Sequence, residues 1–121
     1  MKKENVRLVV LIALLCLAIF ALGLILKMEK RSADQMVMQY QLQAIRTSVN
    51  LFKAIEKRNP ASFKELAAAR FSFPGESEER HFLEGVQMDN NGEARDPFGN
   101  KYIYDPVSGW VRSNTAGYFN W

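Results

Sequence analysis

"LVVLIALLCLAIFALGLIL", residues 8–26, decides how the rest of this chain is read. Nineteen residues pass without a charge. At 1.5 Å per residue a helix of that length covers about 28 Å, close to the hydrocarbon thickness of a bilayer. A secretory signal core is shorter, and no A-x-A-like cleavage site follows; residues 27–31, "KMEKR", follow instead. The expectation is a retained single-pass transmembrane helix, with membrane lipid as its partner. The one cysteine, Cys16, lies inside this run, so no disulfide forms within the chain and Cys16 reads as a small apolar filler.

The charge distribution follows from that segment. Lys2, Lys3, Arg7, Lys27, Lys30 and Arg31 flank the apolar run, opposed only by Glu4 and Glu29, a local net charge of +4. Because basic residues stand on both sides, charge does not choose the orientation. From Ser32 onward ten basic and eleven acidic residues leave a net charge of −1. That part has no basic stripe to grip phosphates, which excludes nucleic acid as a partner.

Residues 32–57 contain neither Gly nor Pro. Met38, Leu42, Ile45, Val49 and Phe52 step by 4, 3, 4 and 3, with Ile55 next, which is one apolar stripe on a helix. Nothing in residues 27–31 breaks a helix, so the membrane helix is expected to continue into this one as a rod of about 50 residues, on the order of 75 Å. The stripe lasts under three heptads and therefore predicts packing against the chain's own following domain rather than a coiled coil. Three regions result: residues 1–31 for the basic flank and membrane helix, 32–58 for its amphipathic continuation, and 59–121 for a globular head.

The head reads as α+β. Asn59 and Pro60 end the rod, because the residue before proline avoids helical geometry. "SFKE" at 62–65 is a capping-box pattern that opens a short helix through about Arg70. "FSFPGESEER" reads as a loop with a solvated acidic tip at Glu76, Glu78 and Glu79, and His81 stands alone. In "VQMDNNGEAR" the pair Asn91-Gly92 signals a hairpin. "KYIY" alternates, with Tyr102 and Tyr104 on one face and Ile103 on the other. "DPVSG" supplies a turn with Pro106 at a corner and Gly109 at positive φ, and "WVR" returns. The expected product is an antiparallel sheet of three to four strands. Asp96-Pro97-Phe98-Gly99 predicts a type I turn in which Asp96 accepts from turn amides and Gly99 is left-handed. Eleven of the fourteen aromatics lie from Phe63 onward. A head of roughly 60 residues buries little surface, and aromatics offset that.

No nucleophile–base pair, metal cluster or phosphate loop is visible. No catalytic, cofactor-binding or metal-ligating residue is expected, and neither is a cofactor or a small-molecule substrate. Asp89, Asn91, Asp96 and Asp105 are oxygen donors without the register of a calcium loop.

The layout resembles the type IV pilin superfamily, and within it the major pseudopilins of type II secretion. "NPASFKEL" at 59–66 is similar to the family's proline-led short helix. "DPFGNKYIYDPVSGWVRSNTAGY" at 96–118 is similar to its DP[WF]GN-x-Y-x-Y turn and strand, followed by a hairpin and a closing S-x-T-x-G-Y. The resemblance covers most of the chain. It implies a pilin-like fold, a bacterial inner-membrane location with the head in the periplasm, and other pilin-like subunits or assembly proteins as partners. The sequence departs from the family at the processing signal. "KKENVRLVVLIALL" has no Gly before a cut and no Phe after it, and Arg7 falls about where the family carries a Glu. The helix-kinking proline and the long calcium-binding tail are also missing. Two functions are therefore expected: a pilin-like structural subunit of a secretion, pilus or competence-type assembly, or a non-polymerising bitopic scaffold or sensor with a pilin-like head. An enzyme is not.

Overall fold

The computed structural model describes residues 2–121. Helix α1 runs unbroken over Lys3–Glu56, 54 residues. It contains no Pro and a single Gly, Gly23, so nothing in its sequence interrupts the backbone ladder. The chain divides into two compact units after Asp34, within α1. In the first unit residues 2–33 are exposed throughout.

In the second unit α1 buries Met38, Leu42, Ile45, Ser48, Val49 and Phe52. This is the stripe expected from the spacing, with one correction. Ile55, expected to extend it, is 42% exposed, because α1 ends one residue later at Glu56 and the core does not reach that last turn. Lys57 takes a left-handed φ of 60° and donates its N–H to the Lys53 carbonyl at 3.0 Å. The helix is thus closed by a left-handed residue two positions before the Asn59-Pro60 pair.

Helix α2 spans Phe63–Ala68. Ser62 caps it, its hydroxyl accepting from Glu65 N–H at 3.2 Å. Glu65 reaches back to the amide of Ala61, one residue before the cap, at 2.5 Å. The helix stops short of the expected Arg70, because that residue opens a strand.

Strand β1, Arg70–Phe71, pairs antiparallel with β2, Arg80–His81. This corrects the reading of "FSFPGESEER" as a loop alone. The two ends are drawn together by the Phe71 and Phe82 rings, 4.6 Å apart, and by the ion pairs Arg70–Glu79 at 3.7 Å and Arg80–Glu76 at 3.1 Å.

Strands β3, Ile103–Asp105, and β4, Trp110–Arg112, form a second antiparallel pair, with Tyr104 opposite Val111. The expected Asn91-Gly92 hairpin reduces to one isolated bridge, Met88 to Ala94, and a second bridge joins Arg95 to Lys101. The side chain of Asp89 takes the amides of Asn91 and Glu93 at 2.9 and 3.0 Å, which makes a compact turn rather than a ladder. The single sheet of three to four strands is therefore corrected to two two-stranded sheets. The fold remains α+β, a long apolar N-terminal helix and a small head.

The head's core joins the α1 stripe to Phe63, Leu66, Phe82, Leu83, Ala94, Tyr102, Val111 and Tyr118. Phe52 meets Phe82 edge-on at 5.1 Å, and Tyr118 stacks on Phe98 at 5.5 Å. Aromatics supply the area that a small head otherwise lacks.

Candidate functional site

Two features stand out as candidates: the apolar surface of α1 and the turn cluster of the head. Leu8, Leu11, Leu15, Leu17, Ile19, Phe20, Leu22 and Leu26 are each more than half exposed. A soluble protein rarely leaves so large a contiguous apolar surface bare. By length and composition α1 is the one helix among the described residues able to cross a membrane. Cys16 is a free, exposed thiol within that surface.

The turn cluster is built from carboxylates that satisfy backbone amides. Asp96 is 5% exposed; one oxygen accepts from Phe98 N at 3.0 Å and Asn100 N at 2.9 Å, and the other accepts from the Thr115 hydroxyl. Gly99, at φ 85°, donates to the Asp96 carbonyl at 3.0 Å. The expected turn is present, and Thr115 ties it to the C-terminal segment. Asp105 accepts from Val107 N at 3.0 Å and from Ser108 Oγ at 2.7 Å, and the Ser108 hydroxyl holds its carboxyl below the usual range. Asp89 is also held low, chiefly by the amide of Glu93, with Arg95 at 3.0 Å helping. Asp89, Asn91, Asp96 and Asp105 thus serve three separate turns. The structure does not bring them into one donor set, and no group of metal-ligating side chains occurs among the described residues.

Glu76 and Glu79 are spent on Arg80 and Arg70, and Glu78 stays exposed. His81 lies on β2 at the wall of an open groove of about 420 Å³ shared with Tyr40, Phe71, Phe73 and Phe82. Ser48 and Glu84 also line the groove, and the Ser48 hydroxyl is turned to the Ala44 carbonyl at 2.8 Å.

Sequence reading missed the side chains that fasten the head to α1. Arg46 donates from Nε and Nη2 to the Val111 carbonyl at 3.0 and 2.8 Å, and its guanidinium lies 4.5 Å from the Trp110 ring centre. Tyr102 donates to Gln41 at 2.6 Å and Tyr104 to the Pro60 carbonyl at 2.5 Å. Burial raises both phenols above their ordinary value, Asp96 adding to the effect at Tyr102 and Glu65 at Tyr104. Gln35 donates to the Tyr118 hydroxyl. Arg58 pairs with Glu65 at 2.5 Å, which holds the Glu65 carboxyl low. A polar residue on the face beside an apolar stripe was the only available hint for Arg46 and Gln41.

Asn59 reaches across with Nδ2 to the carbonyls of Pro106 and Val107 at 3.2 and 3.0 Å. Its Oδ1 is buried without a hydrogen-bond partner and faces Gly109, at whose α-carbon an added Cβ would stand 2.8 Å away. Compared with protein-family models, curated proteins and solved structures, the chain matches none of them.

Proposed function

We propose that this chain is a membrane-anchored, pilin-like structural subunit whose apolar helix lies in a bilayer and whose head presents a protein-binding surface on the far side. The observation that carries the reading is the bare apolar surface of residues 8–26, continuous in one helix with a stripe that the head buries. The location proposed is a bacterial inner membrane with the head in the periplasm, and the proposed partners are lipid and other pilin-like or secretion-assembly proteins. The proposed mechanism is packing, not catalysis, and Asp89, Asp96 and Asp105 are engaged in turns. Phosphatase fused after Trp121 tests the topology. An active fusion supports an external head, and an inactive one beside an active cytoplasmic reporter overturns it.

One observation favours the second reading, a non-polymerising bitopic scaffold or sensor, and with it a chain that acts as a stationary or initiating anchor rather than the bulk of a filament. The segment before Leu8 lacks the Gly and the aromatic of a processing site and carries Arg7. Uncut, it keeps Lys2, Lys3 and Arg7 where anionic lipids attract each charge by about 1 kcal/mol. Drawing those charges through the apolar layer costs about 2.5–3.5 kcal/mol each at its centre. N-terminal sequencing of membrane-purified protein tests this. A mature chain starting anywhere between Lys3 and Leu8 returns the chain to an ordinary processed subunit. Recovery in sheared fibres does the same.

A further inference from the structure

The Asn91-Gly92 pair forms no ladder, and its chemistry points elsewhere. An asparagine followed by glycine is the pair most open to succinimide formation, because glycine puts no side chain in the way of the attacking backbone nitrogen. We propose that Asn91 is a deamidation site whose rate the folded turn sets through Asp89. The Gly92 nitrogen loses its proton to hydroxide and adds to the Asn91 side-chain carbon, and ammonia leaves. Water then opens the ring at either carbonyl, giving aspartate or isoaspartate. The net change is one water consumed and one ammonia released, with no oxidant or reductant.

The geometry holds this reaction back without removing it. Asn91 is exposed, so water and hydroxide reach it. The Gly92 N–H, whose proton must leave, donates to the Asp89 carbonyl at 3.0 Å. Asp89 Oδ1 fixes the amides on either side, Asn91 at 2.9 Å and Glu93 at 3.0 Å. Asp89 Oδ2 is itself pinned by Arg95 Nε at 3.0 Å. Asp89 is therefore a positioning residue: opening its bonds frees the nitrogen. The isoaspartate product matters to the fold. It adds a methylene to the backbone between the Asn91 α-carbon and the Gly92 nitrogen, and Gly92 itself sits close to α2, a Cβ on it standing 3.0 Å from Lys64 Cβ. That close approach leaves the lengthened turn little room on the α2 side.

The test incubates the full chain in detergent micelles at mildly alkaline pH and follows each asparagine by peptide mass and isoaspartate detection. Native chain, guanidinium-denatured chain, Asp89→Ala and Arg95→Gln are compared, with folding checked by near-UV circular dichroism. The expected order is denatured chain fastest, then Asp89→Ala, which loses the bonds to the Asn91 and Glu93 amides and to Arg95 but keeps the backbone bond to Gly92, at about fivefold over native, then Arg95→Gln, then native. Asn91 should lead the other asparagines in the denatured chain, since none of those precedes a glycine. Should Asp89→Ala fail to fold, Arg95→Gln keeps the test open. An Asn91 that stays intact when denatured overturns the proposal. So does a native chain that reacts as fast as the denatured one, or native rates in every folded variant.

Discussion

One helix carries two kinds of surface. Over residues 8–26 α1 carries apolar residues on every face and all are exposed; over residues 38–52 apolar and polar residues alternate by helical period, and the stripe of Met38, Leu42, Ile45, Val49 and Phe52 is 0–2% exposed. The backbone is the same, and only the side-chain pattern differs. The first stretch depends on an environment supplied from outside, and the second brings its own cover in the form of the head. A change in one should therefore leave the other intact, and each expectation below breaks or sharpens that separation.

The largest effect is expected at the buried stripe. Phe52→Ala removes a ring packed on Phe82 and should cost the head about 3–5 kcal/mol, read as a fall in the denaturation midpoint, while membrane association persists. Loss of membrane association together with the head would show that the two stretches are not independent. The mirror experiment is Leu15→Arg, a charge near the middle of the apolar run. It should cost insertion about 2.5–3.5 kcal/mol and leave the head's near-UV spectrum unchanged. Equal membrane partition of the variant and the parent would argue against a span centred there.

Within the head, two glycines sharpen the account. Both Gly99 and Gly109 have positive φ, but the space around Gly99 is open while Gly109 faces Asn59 Oδ1 at 2.8 Å. Gly99→Ala should cost about 1 kcal/mol for the left-handed backbone alone. Gly109→Ala should cost more, about 2–3 kcal/mol. Gly99→Val is the harsher form of the first and should cost roughly 1–3 kcal/mol. Thermal unfolding that ranks Gly99→Ala as the worse alanine variant would show that the contact with Asn59 is not tight.

The smallest effect is the pH dependence, and it belongs to the head alone. Glu65, Asp89 and Asp105 are all held below their ordinary range, by Arg58, the Glu93 amide and the Ser108 hydroxyl respectively. A carboxyl with a lowered folded-state pKa stabilises the fold above its unfolded value, about 4, and loses that contribution as pH falls. Tyr102 and Tyr104 are raised, so their contribution is complete below about 10 and is lost as pH rises beyond it. The head's thermal midpoint should therefore hold level between about pH 5 and 9 and decline on both sides. A midpoint that rises as pH drops below 4 would contradict the role given to these carboxylates.

The parts legible in the sequence are those governed by neighbours along the chain. Periodicity gave α1 and its buried face, Ser62 and Glu65 marked the start of α2, and the Asp96–Gly99 and Asp105–Gly109 turns follow from side chains that bond amides two to four residues away. The parts not legible depend on residues far apart. The β1–β2 pair rests on Phe71 meeting Phe82, and Arg46 finds the Val111 carbonyl 65 positions later. Asn91-Gly92 misled because its hairpin signal is local while Asp89, two residues before, competes for the same amides. The candidate site was legible only in its apolar half, residues 8–26. The fastenings between α1 and the head join polar side chains to distant carbonyls and hydroxyls, and no spacing rule announces them.

The bond from Arg46 to β4 has a consequence for crowding. Strand β4 has a single neighbouring strand, β3, so its other edge is where a foreign strand would add. On the proposed membrane anchorage, copies of the chain would meet at high local density, the condition under which open strand edges seed aggregates. With Arg46 occupying the Val111 carbonyl through two N–H groups, an arriving strand finds a fixed cation where it needs an acceptor. The arginine that fastens the hairpin to the helix is also its gatekeeper.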